Sequence, residues 1–223
     1  MMMNKWIRRK RNSLGYGVQS PNDFHFVRHV LREKSPYYAY ATLDDILAKH
    51  GGQSPSYPDA IHRLLFRLSN YVHPNTVIEV GAGPSIFAMA MACPSARCIA
   101  VAPATEHLDT MVSMQTTFPN VEIRKDDELV LFSQSLHELQ AIDILHVGHT
   151  SRYREVVEAA LPYVTDRTLF IIEGIHDCKE KRDWWKSLQG SPSTGISYDL
   201  KSVGLLFFDR TRHKNTYWIN LRD

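Results

Sequence analysis

The feature that most constrains this chain is a short apolar run that ends in a glycine turn. Val77-Ile78-Glu79-Val80 leads into Gly81-Ala82-Gly83-Pro84-Ser85, and the apolar stretch Ile86 to Ala92 follows at once. A β-branched run bounded by glycine reads as a buried strand, and the longer apolar stretch after it as a buried helix. Glycine lets the backbone turn sharply out of the strand and lets a ligand approach without a Cβ in the way. Pro84 suits the start of the next helix, where its missing N–H would be unpaired in any case. The N-terminus of that helix then offers N–H groups and a partial positive charge to an anionic group, a carboxylate as well as a phosphate.

The same rhythm recurs along the chain. Asp59 to Tyr71 carries Ile61, Leu64, Leu65 and Leu68 at helical spacing. Strands are predicted at Thr76 to Val80, Arg97 to Ala102, Val121 to Arg124, Ile142 to Val147 and Thr168 to Ile172. Helices are predicted between and after them, at Glu106 to Phe118, Glu128 to Leu139, Arg152 to Val164 and Lys179 to Leu188. The rhythm then changes: Ile196 to Leu200 and Val203 to Phe208 are joined tightly around Lys201-Ser202, which predicts a hairpin, with Tyr217 to Leu221 as a final edge strand. Repeated βα units closed by a hairpin predict an α/β fold, a doubly wound and mostly parallel sheet with a C-terminal antiparallel hairpin. In such sheets ligands bind beyond the carboxyl ends of the strands, so function is expected after Val80, Ala102, Arg124, Val147 and Ile172.

Residues 1–57 differ in character and are expected to form a helical N-terminal cap on an α/β domain spanning 58–223. A helix is predicted over Asp23 to Lys34 with Asn22 or Asp23 as N-cap, and another over Leu43 to Lys49. Lys5, Arg8, Arg9, Lys10 and Arg11 crowd one segment that could touch phosphates or anionic headgroups, or could be a solvated tail. The net charge of +2 gives no argument for nucleic acid from the total. No apolar run is long enough for a membrane span, and no apolar stretch follows the N-terminal charges as in a signal peptide. Cys93, Cys98 and Cys178 lack paired spacing and read as buried free thiols of a reducing compartment, with the cytoplasm as default.

Two ligand classes compete for the glycine turn. A dinucleotide fingerprint needs a third glycine where Ile86 stands. It also makes no use of an acid two residues before the first glycine, the place of Glu79. An acid there, followed by Gly-x-Gly, resembles the first motif of the class I S-adenosylmethionine (SAM) dependent methyltransferases. From Leu64 to Phe208 the chain is similar to the small bacterial O-methyltransferase-like group of that family. The hairpin Ile196 to Phe208 resembles the family's closing strands. Ile171-Ile172-Glu173-Gly174-Ile175-His176 resembles its segment after the fifth strand, and Gly17-Val18-Gln19-Ser20-Pro21 with Tyr37-Tyr38-Ala39-Tyr40 its N-terminal cap.

The resemblance implies SAM as cofactor, held by Glu79, Gly81, Ala82, Gly83 and Ser85, with Asp126 and Asp127 at the adenine edge. It implies a small, hydroxyl-bearing acceptor and leaves a homodimer open; imidazole and carboxylate groups near the site could bind a transition metal, but no compact ligand motif exists, so no metal is expected. The chain departs from the family in three places. Val101-Ala102-Pro103-Ala104 has no ribose-binding acid, with Glu106 the nearest. His146-Val147-Gly148-His149 replaces Asp-Gly-x-His, and Gly174 stands for one of two acids. His149, His146, Glu173 and His176 are the candidate catalytic groups, since imidazole can take a proton from a hydroxyl nucleophile near neutral pH. A methyltransferase fold that binds or scaffolds without catalysis is the alternative.

Overall fold

The computed structural model describes residues 5–35, 37–49, 58–81, 83–103 and 109–221. Its contacts group the chain into two compact units, Ser35–Val164 and the combination of Met1–Lys34 with Thr165–Asp223.

The larger unit is built from α3 and α4 (Tyr38–Lys49, Pro58–Val72), β1 (Thr76–Val80), α5 (Ser85–Ala92), β2 (Arg97–Pro103), α6 (Asp109–Gln115), β3 (Val121–Asp126), α7 (Glu128–Leu139), β4 (Ile142–Val147) and α8 (Tyr153–Ala160). Its strands lie in the order β3-β2-β1-β4 and all run parallel. Parallel strands need crossover helices, and strands covered on both faces become apolar throughout. Val77, Ile78 and Val80 are accordingly fully buried, as are Ile99, Ala100 and Val101 of β2. Helix α5 packs on α4 and α7 on α8, while α5 and α7 both lie against β2 and β3. With right-handed crossovers, the step from β1 to β2 and the return from β3 to β4 run in opposite directions across the sheet, which puts α5 and α7 on opposite faces, the doubly wound pattern. The helices bury the stripes read from their spacing: Leu64, Leu65 and Leu68 on α4, Val156, Val157 and Ala160 on α8. Ile61 and Leu161 are only half-buried, the latter because α8 ends at Ala160 and tightens into a 3-10 turn over Leu161–Tyr163.

The smaller unit holds α1 (Lys5–Ser13), α2 (Pro21–Phe26), β5 (Val164–Glu173), α9 (Lys179–Gly190), β6 (Ser197–Asp199), β7 (Val203–Phe207) and β8 (Thr216–Trp218). Strand β7 runs antiparallel to both β5 and β6, and β8 adds parallel to β6. The hairpin therefore forms as expected, with Lys201 in its turn at φ 75°. Trp185 of α9 is fully buried over Gly204 of β7, where a Cβ would stand 2.7 Å from the indole ring, so this tryptophan is core. The helix expected from Asp23 begins earlier. Ser20 caps it, its hydroxyl accepting the Asp23 N–H at 3.3 Å, with Pro21 in the first turn. After Phe26 it widens into a π-helical turn, Val27–Leu31. Asp23 is instead a buried acceptor for the hydroxyls of Tyr198 and Tyr217 at 2.9 and 3.2 Å, and pairs with Arg212.

Cys93 and Cys98 are buried, and burial pushes the Cys98 thiol up to about 12. Cys178 is exposed, contrary to expectation, because it sits at the N-cap of α9, its sulfur accepting the Lys181 N–H at 3.3 Å. Among the described residues no helix is long and apolar enough to cross a membrane.

Candidate active site at the carboxyl ends of β1, β3 and β4

The register sets Glu79 of β1 directly beside His146 of β4. Both side chains are buried, and His146 Nδ1 lies 2.8 Å from Glu79 Oε2. The same Oε2 accepts the Ser85 hydroxyl at 2.8 Å, and Oε1 accepts the Gly83 N–H at 2.8 Å. Glu79 thus turns its carboxylate onto its own loop and ties together the end of β1, the start of α5 and the end of β4. A buried carboxylate needs such partners, because leaving it dry and unpaired costs several kcal/mol, roughly.

The backbone of the glycine turn is packed as closely. Gly81 has φ 78°, and a Cβ there would come within 3.3 Å of the backbone nitrogen of His149. A Cβ on Gly148 would stand 2.8 Å from the Gly81 carbonyl oxygen, while Gly148 N–H donates to Val80 O at 2.9 Å. Small residues at both places let the loops after β1 and β4 touch backbone to backbone. On the other side of the turn, among the described residues, a Cβ on Gly83 would meet only Ser85 Oγ, at 3.7 Å. Ala82 and Glu106 lie outside the described residues.

The loops after β3 and β4 are also tied. Glu128, buried at the start of α7, accepts the Thr150 hydroxyl at 2.7 Å, and Arg152 lies 3.3 Å from Asp127. Asp127 caps α7, its Oδ1 accepting the Leu129 and Val130 N–H groups at 3.1 and 3.0 Å. The Val130 amide is the main reason its carboxyl is held below the usual range, with Arg152 adding to the effect. Its carboxylate is occupied in capping. Asp126 is exposed at the end of β3, in register with Pro103 at the end of β2.

His149 stands exposed in the loop after β4, beside the glycine turn. His146 does not share that position. Its side chain, expected as a catalytic candidate, is buried and turned onto Glu79. In the smaller unit Glu173 is buried at the end of β5. His176 Nε2 lies 2.7 Å from Asp199 Oδ2, and Asp199 also holds Arg9 at 2.8 Å. Burial works to raise the Asp199 carboxyl, but Arg9, His176 and the Lys201 amide outweigh it and hold the group below the ordinary carboxylate range. His176 is therefore anchored by a carboxylate that sequence reasoning did not single out. Gly174 has φ 65°, and a Cβ there would stand 2.9 Å from Asp177 Cγ. An acidic side chain at 174 would collide with the Asp177 carboxylate, beside the buried Lys181. Burial lowers the Lys181 ammonium, against the opposing pull of Asp177, Cys178 and Glu173. Among the described residues no group of three or more His, Cys, Asp or Glu side chains is placed to hold a metal ion.

Neither Glu128 nor Asp199 carries a sequence signal beyond being an acid near an element boundary. No protein-family model matches the chain, and no curated protein sequence matches it. Solved structures do resemble it. The O-methyltransferase from Bacillus cereus, in complex with SAH, superposes with a TM-score of 0.60 at 14% identity, over 81% of this chain and 96% of that one. The SAH-bound methyltransferase PaMTH1 of Podospora anserina gives 0.60 at 11% identity, over 85% and 96%. The O-methyltransferase TomG of Streptomyces achromogenes, involved in tomaymycin synthesis and in complex with SAM, gives 0.57 at 13%, over 93% and 99%. At these identities the likeness establishes the fold, the one expected from the glycine turn and the alternating elements.

Proposed function

We propose that the chain is a SAM-dependent methyltransferase acting on a small hydroxyl-bearing acceptor, and that the glycine turn braced by Glu79 is its cofactor loop. The observation that carries the reading is the triple engagement of Glu79, with Gly83 N, Ser85 Oγ and His146 Nδ1 each at 2.8 Å. A fully buried acid that shapes a strand-to-helix turn fits a loop preorganised for a ligand. The fold, shared with proteins crystallised with SAM or SAH, supports the choice of ligand.

Gly81, Gly83 and Ser85 would hold the amino-acid end of the cofactor at the N-terminus of α5, where backbone N–H groups favour a carboxylate. Asp126, exposed at the end of β3, would meet the adenosine end. Glu79 and His146 keep the loop in shape from beneath. Bound SAM supplies a methyl group on a positively charged sulfur. His149, exposed beside the loop, is the group assigned to take the proton from the acceptor hydroxyl.

Calorimetric titration of the folded protein with SAM and with SAH tests the proposal. Micromolar binding of both, lost in Glu79→Ala but kept in His149→Ala, is the expected result. Failure of the intact protein to bind either at millimolar concentration would leave the fold serving as a binding or scaffold module.

A further inference from the structure

Helix α1 is packed with its polarity reversed. Its buried side is polar. Arg9 donates to Asp199 O at 2.7 Å, to Ile219 O at 2.9 Å and to Asp199 Oδ1 at 2.8 Å. Ser13 accepts the Asn220 N–H at 2.7 Å, its carbonyl accepts Arg32 at 2.8 Å, and Asn12 is buried beside it. Arg8 lies with its guanidinium 4.4 Å from the centre of the Trp218 ring.

The exposed side carries the apolar residues. Trp6, Ile7 and Leu14 are 62%, 43% and 42% exposed. At 100° per residue Trp6, Lys10, Leu14, Ile7 and Arg11 fall within one arc of roughly 140°, with Arg9 and Asn12 across from it and Ser13 at its border. Leu14 stays on this arc because its N–H still reaches Lys10 O, at 3.2 Å. The apolar surface continues past the helix through Tyr16 and Phe24, the Phe24 ring lying against Gly15. No acid occurs from Lys5 to Asn22, and the first, Asp23, is buried. A helix with its polar stripe inward and a tryptophan, aliphatic and cationic stripe outward is matched to a surface that is anionic at its edge and apolar just beneath.

We infer that this face, Trp6, Ile7, Lys10, Arg11 and Leu14 with Tyr16 and Phe24, docks the protein on anionic lipid bilayers. The axis of α1 lies in the interfacial plane. Trp6, Ile7 and Leu14 enter the headgroup boundary, while Lys10 and Arg11 reach up along it to lipid phosphates and carboxylates. The aliphatic residues select the bilayer over a nucleic acid, because Ile7 and Leu14 offer no platform for stacked bases. The charge selects it over a second copy of the same face, because two such cationic stripes repel.

Sedimentation of the full chain with sonicated vesicles tests the inference. Phosphatidylserine in phosphatidylcholine is compared with phosphatidylcholine alone at physiological salt. Binding to the anionic vesicles is expected to exceed that to neutral ones at least tenfold. Lys10→Gln with Arg11→Gln lowers it roughly thirtyfold, two charges at about fivefold each. Trp6→Ser with Ile7→Ser lowers it by about tenfold or more, with an unchanged thermal melt. Arg210→Gln with Lys214→Gln, basic residues outside the face, leaves it unchanged. The inference is overturned if the folded protein does not sediment with anionic vesicles, or if it does so equally well after Trp6→Ser and Ile7→Ser. It is also overturned if the same substitutions abolish only oligonucleotide binding, or only a dimer seen by light scattering.

Discussion

Replacing Glu79 by alanine removes the carboxylate shared by three donors, from the glycine turn, α5 and β4. The Gly83 N–H, the Ser85 hydroxyl and His146 Nδ1, each 2.8 Å from the carboxylate, are all left without it. Glu79 and His146 have side-chain exposures of 0% and 1%, so bulk water cannot take its place without opening the sheet end. An orphaned buried polar group costs about 1–3 kcal/mol. Ser85 Oγ can rotate toward another acceptor, so the working figure is about 3–5 kcal/mol for the set. In a chain of this size that is a fall in melting temperature of roughly 10 °C. Glu79→Gln should be milder, about 1–2 kcal/mol. Its amide oxygen can still accept from Gly83, and its NH2 group can donate to Ser85 Oγ once that hydroxyl turns. Urea denaturation and thermal melting by circular dichroism measure both. An alanine variant within 1 kcal/mol of the parent, or a glutamine variant as damaged as alanine, would refute the bracing role assigned to Glu79.

Other outcomes follow from the same packing. Gly148→Ala should destabilise the protein by about 1–3 kcal/mol and weaken SAM binding, because the Gly81 carbonyl stands 2.8 Å from the new methyl group. Gly190→Ala, at the open end of α9, should instead stabilise by about 0.5–1 kcal/mol, and denaturation curves of the pair check the opposite signs. The carboxyl of Asp199 is held below its unfolded value, so its contribution to stability is present above about pH 4 and lost as pH falls through the folded value. Asp199→Asn should therefore lower stability at pH 7 and flatten its decline below pH 4, as melts across that range will show. Iodoacetamide at pH 8 should label exposed Cys178 in the native protein and leave Cys98, pushed up to about 12, unmodified until denaturant is added, which mass spectrometry can score.

The sequence by itself determined the order and kind of the elements. Apolar runs such as Val77 to Val80 and the stripe Leu64, Leu65, Leu68 are local patterns, and burial of one face follows from their spacing whatever they pack against. The glycine turn was legible for the same reason, since the need for positive φ at Gly81 is met within the turn. Local signals failed where a neighbour in space outranked a neighbour in sequence. Asp23 was read as a cap, but Tyr198 and Tyr217 claim its carboxylate across 175 and 194 residues. Nothing local to His146 announced its pairing with Glu79, 67 residues away, which the β1–β4 register makes. Helix α1 was read as a basic segment, and only its docking through Arg9 onto Asp199, 190 residues on, decided that its apolar residues face outward. A pattern along the chain specifies which residues want burial or a partner. Which partner each one meets depends on register and packing, and these are settled by the summed contacts of the whole fold.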